Sequence, residues 1–242
     1  MLEPYNWEVL PSDIRAATNG SAVAEYLAHV VMPSIAALEQ RRHDLALADD
    51  PGSKFALADH PQLVKRTHKT FCLAIHSLYE QQLRSYLHLC TWDYPVESVT
   101  RRHQLEKSTW GKELNALFFK VRGLKLDGFA SYPVLTQLNL MANACRHGEG
   151  SSARSLYEAH PELWPSIKRF QWEDELPKML SFQSLEITLE QLAQYADAIS
   201  LFWLDLQCQR IEDFADEPSA YVSFLREKRV SLLASVTRSP RI

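Results

Sequence analysis

The sequence predicts an all-α fold, a single helical bundle, on three observations. Glycine occurs only seven times in 242 residues, too few for the turns that many short strands would need, while Leu, Ala, Glu and Gln are plentiful. Apolar residues recur at helical spacing through several long runs. Proline, Asp-Pro-Gly and glycine signals bracket those runs. No internal repeat, low-complexity segment or clean domain boundary interrupts them, so residues 1–242 read as one helical domain. A chain of this length buries a substantial core without disulfide or metal staples.

Taken in order, residues 1–18 contain Pro4 and Pro11 and read as an ordered or half-ordered lead-in. A helix over 21–48 follows, with Val23, Leu27, Val30, Val31, Ile35 and Leu38 at helical spacing and a kink or break expected at Pro33. Asp49-Asp50-Pro51-Gly52-Ser53 breaks the chain. The second helix is expected from about Pro61 to Trp92, with Leu63, Phe71, Ala74, Ile75, Leu78, Tyr79, Leu83 and Tyr86 along one broad apolar face, and Asp93-Tyr94-Pro95 stops it. A third, over about 98–121, is interrupted near Gly111. A fourth begins at Pro133, turns Val134, Leu135, Leu138, Met141, Ala142 and Cys145 inward, and ends at Gly148 and Gly150. Residues 148–185 read as a long packed loop with short helical turns. Thr188-Leu189-Glu190-Gln191 has the capping-box pattern and opens a helix carrying Leu192, Tyr195, Ala196, Ile199, Phe202, Trp203 and Leu206. A last helix spans about 219–234.

Composition narrows the function. A formal net charge of −4 argues against a general polyanion binder, though it leaves room for a local basic site. Cys72, Cys90, Cys145 and Cys208 are far apart in sequence and form no C-x-x-C pair, which fits buried free thiols in a reducing compartment. The N-terminus lacks the pattern of a signal peptide, and no uninterrupted apolar run approaches a membrane span, so a cytoplasmic protein is expected. Phosphate-loop, dinucleotide, zinc-protease and serine-hydrolase motifs are absent, as are Glu-x-x-His pairs. No cofactor is expected.

Two helices carry polar residues in patterns that suit chemistry. Thr136, Asn139, Asn143 and His147 form one stripe on the fourth helix, and Arg146 precedes His147 at its end. An always-charged guanidinium, an imidazole able to move a proton and an orienting amide suit a phosphodiester. The same residues also suit a plain C-terminal cap, with the cations meeting the helix dipole and Gly148 left-handed. On the second helix His68, Cys72, His76, Glu80, Arg84 and His88 recur every fourth residue. Glu80 is placed to pair with Arg146 or His147 across the bundle, or with Arg84 one turn away. His68, Cys72 and His76 have metal-ligand spacing, but the sequence supplies no evident further ligands, so no metal is expected.

The segments Leu78-Tyr79-Glu80-Gln81-Gln82-Leu83-Arg84 and Ala142-Asn143-Ala144-Cys145-Arg146-His147-Gly148 resemble the HEPN superfamily, helical bundles that include many prokaryotic RNases of toxin and phage-defence systems. Members pair a Glu-x-x-Leu-Arg helix with a later helix ending Arg-Asn-x-x-x-His-Gly. The resemblance implies a four-helix core over about residues 60 to 210, with extra N- and C-terminal helices and the long loop after the fourth helix. It also implies a homodimer that engages RNA and cleaves it without metal, in a bacterial defence or toxin setting. Carried onto this chain, His147 is the acid/base, Arg146 the phosphate contact, Asn143 the orienting group and Glu80 their partner. Arg84, His76 and Asn139 are candidate substrate contacts. Where the family pattern has arginine this chain has Ala142, and Arg146 is rotated about 100° from His147. The alternative reading is a catalytically degenerate bundle that binds a cognate protein partner.

Overall fold

The computed structural model describes residues 11–93, 98–108, 111–148, 150–165, 180, 182–212 and 220–238. Among them the chain is all-α, with no strand. The helices are α1 (Pro11–Tyr26), α2 (Met32–Leu47), α3 (Pro51–Asp93), α4 (Ser98–Lys107), α5 (Lys112–Arg122), α6 (Tyr132–His147), α7 (Ser151–Ala159), α8 (Leu189–Glu212) and α9 (Ala220–Thr237). Two compact units form. One gathers the described residues within 11–24, 77–135 and 197–238; the other gathers those within 25–76 and 136–196.

Most helix boundaries follow local signals. A π-helical turn, Leu27–Val31, joins α1 to α2 just ahead of Pro33; Tyr26, Val31 and Met32 stay right-handed helical, so the interruption expected at Pro33 is a π-turn within a continuous helix rather than a break. The first helix also starts earlier than expected, at Pro11. Asp50 accepts the Ser53 N–H at 2.9 Å and so caps α3, which Pro51 opens. This corrects the expected start at Pro61. That proline lies inside α3, where it removes one intrahelical hydrogen bond, and the turns on either side hold the helix together across it. Gly111, at φ 107°, separates α4 from α5 as expected. Thr188 and Gln191 form the reciprocal capping box at the head of α8: the Thr188 N–H donates to Gln191 Oε1 at 2.8 Å, and the Gln191 N–H donates to Thr188 Oγ1 at 3.1 Å. The expected loop after α6 is more regular than its composition suggests. It holds α7, which buries Ala153, Leu156 and Tyr157, while residues 166–179 lie outside the described chain.

The first unit has an aromatic core. Phe202 packs on Tyr79, Phe118, Phe129 and Trp203, and Trp203 meets Tyr86 edge-on at 5.2 Å. The Trp203 N–H finds Gln82 Oε1 at 2.9 Å, so the indole is buried without an orphaned donor. Gly20 lets α1 approach α8 closely: a Cβ there would lie 3.3 Å from the Ser200 backbone, and the Ser200 hydroxyl donates to Gly20 O. In the second unit Tyr157 stacks edge-on with the fully buried Trp164. The Glu186 N–H donates to Leu163 O, and Lys65 pairs with Glu186 at 2.7 Å.

One stretch of the described chain, within Ile14–Leu47, is by length and composition apolar enough to cross a membrane. It is not an uninterrupted apolar run, since the exposed Glu25–His29 pair lies within it.

Candidate functional site

The end of α6 is built as the sequence suggests. Leu135, Leu138, Met141, Ala142 and Ala144 are buried, whereas Thr136, Arg146 and His147 are exposed and Asn139 and Asn143 half-buried. Gly148 takes φ 67° and its N–H donates to Ala144 O at 2.9 Å, closing the helix with a left-handed cap. Ala142, at the family's arginine position, is 0 % exposed, so that register of α6 faces the core.

Within the second unit, four expected residues join a network with one donor order. Arg146 Nη2 lies 3.3 Å from His76 Nδ1. A guanidinium only donates, so Nδ1 accepts and the imidazole is neutral, with its proton on Nε2. That proton is donated to Asn139 Oδ1 at 3.2 Å. Asn143 Nδ2 donates to the same oxygen over 3.5 Å. His76, expected among substrate contacts, is fully buried and acts on Arg146 instead. It turns an exposed, flexible arginine into one with a fixed anchor. Protonating His76 would remove the acceptor and set two cations side by side.

The first unit treats Glu80 and Arg84 differently. The intrahelical pairing that the spacing allowed forms: Arg84 Nε and Nη2 reach Glu80 Oε1 at 3.2 and 3.0 Å. The remaining donors of Arg84 cap α4 through Leu105 O at 3.0 Å and Ser108 O at 2.9 Å. Arg84, expected as a substrate contact, is thus a structural clamp. A cleft of about 400 Å³ lies beside that cap, lined by His103, Lys107, Ser108, Glu113 and Lys120. No sequence motif marked it.

The histidine and cysteine row on α3 divides in the same way. His68 Nδ1 meets Ile187 O at 2.6 Å, and Cys72 is hydrogen-bonded to Cys145 of α6. Together with the His76 contacts, these three side chains turn to separate protein partners, and no group of three metal-ligating side chains converges among the described residues. The sulfur–sulfur contact is what sequence reasoning missed. Cys145 is held below the ordinary thiol range, first by the hydrogen bond from Cys72 and then by the Lys69 ammonium, against an opposing burial effect. Cys72 is pushed up by the same bond and by full burial.

No protein-family model, no curated protein and no solved structure matches the chain. What defines it is its own geometry: an all-α protein with a basic, imidazole-anchored helix end.

Proposed function

We propose that the chain is a HEPN-like protein that engages RNA through the end of α6, with Arg146 as phosphate contact and His147 as the proton-transfer group. One observation carries this reading: an exposed guanidinium is anchored on a buried, neutral imidazole, one residue from an exposed histidine, inside the segment that resembles the family motif. A phosphate oxygen would accept from the exposed Arg146 guanidinium, while His76, held by Asn139, keeps the side chain in place. Cleavage, where it occurs, uses a ribose hydroxyl and needs no metal. His147 transfers the proton and Arg146 offsets the developing phosphorane charge. In this reading the protein is a cytoplasmic homodimer of a defence or toxin system, and Asn143 orients substrate beside Asn139.

The test is RNA degradation in chelator. Wild-type protein should cleave and His147→Ala should not; equal cleavage by the two rejects the role of His147. A second reading draws on Ala142. Its burial puts the family's arginine position in the core, which favours a degenerate module that binds RNA or a cognate protein without cutting. Binding that weakens steeply with salt, without cleavage, would select the RNA-binding form of that reading.

A further inference from the structure

Cys72 and Cys145 face one another within the second unit, where His76 of α3 bonds to Arg146 at 3.3 Å and to Asn139 at 3.2 Å, both of α6. The two cysteines are unequal. Cys72 is fully buried, whereas Cys145 is half-buried and the more exposed of the two. Lys69, one turn before Cys72 on the same side of α3 and itself 8 % exposed, places positive charge near Cys145. Tyr195 of α8 is fully buried, lies within electrostatic reach of both sulfurs, and has a hydroxyl with no hydrogen-bond partner. A half-buried nucleophilic thiol, a resolving thiol behind it, a cation beside it and an unused donor nearby are the parts of a reactive dithiol. The two remaining cysteines, Cys90 and Cys208, lie in the other unit and are both buried.

We propose that Cys72 and Cys145 are a peroxide-reactive pair that closes to a disulfide joining α3 to α6. The Cys145 thiolate attacks one peroxide oxygen; the O–O bond breaks, hydroxide leaves and takes a proton to become water, and Cys145 becomes a sulfenic acid. The Cys72 sulfur then attacks Cys145, the S–O bond breaks, and the Cys72 proton departs with the hydroxyl as a second water. Two thiols are oxidised and one peroxide is reduced to two waters. Cys145 precedes Arg146, and Cys72 lies one turn before His76, so the new bond tethers the two helix segments that hold the arginine network. The bond itself does not depend on any role for RNA.

The experiment treats the full native chain with hydrogen peroxide under non-reducing conditions, followed by peptide mapping by mass. The expected result is one linked pair, Cys72–Cys145, with Cys90 and Cys208 still reduced. Cys145→Ser should abolish the linkage, and Cys72→Ser should leave Cys145 trapped as sulfenic or higher acid by a sulfenic-acid probe. Because Cys72 is core, the deciding control needs no variant: wild type oxidised in urea should lose the pairing preference. A native chain that stays fully reduced, or that links Cys90 or Cys208 as readily, overturns the proposal.

Discussion

The two units use the same residue types to different ends. In the first, Arg84 spends its donors on Glu80 and two α4 carbonyls, and Arg229 holds the buried carboxylate of Asp205 at 2.6 Å. Each charge there fastens one helix to another. In the second, Arg146 leans on a neutral imidazole while staying exposed, and two thiols share one hydrogen bond. A guanidinium answered by carboxylate and carbonyls is structural. One answered by an imidazole receives no opposing charge from that partner.

The sharpest break in that comparison is Arg84→Ala. It removes the Glu80 pairing and leaves the α4 carbonyls without their cap, a loss of about 2 kcal/mol. Urea unfolding should show a lower midpoint at unchanged slope. A stability equal to wild type would mean that Arg84 is no clamp.

A smaller effect sharpens the first unit's side. Burial raises the Asp197 carboxyl above its ordinary value of 3.8, with the Ser235 hydroxyl opposing the shift in part. A raised folded value stabilises below the unfolded value and loses that contribution as pH rises through the folded one. At neutral pH the ionised group is therefore a net cost. Asp197→Asn, which can still accept from Ser235, should raise the melting temperature at pH 7, by less than about 1 kcal/mol in stability. The gain should vanish in acid below the ordinary carboxyl range. A gain that is larger in acid than at neutrality would reverse the assigned sign.

Sequence made some of this legible and hid the rest for physical reasons. Helix signals confined to a few residues were readable: the Thr188–Gln191 box, the Gly111 interruption and the Gly148 stop each act within one turn. The polar stripe of α6 was readable because helical period alone fixes it. Pro61 misled, since a proline's cost is local whereas a long helix is supported on both sides of it. The Arg146–His76 bond and the Cys72–Cys145 contact depend on how α6 is rotated against α3, which no short pattern encodes. For Glu80, spacing allowed two pairings, and only coordinates reveal that the one with Arg84 forms.

The central claim is that Arg146, positioned by His76, meets a nucleic-acid phosphate. The direct measurement is RNA affinity of wild type and Arg146→Ala across a salt series, with folding checked by melting temperature. The variant should melt as wild type does, bind about tenfold more weakly, and show a salt slope smaller by about one. Superimposable salt curves for the two proteins would contradict the account.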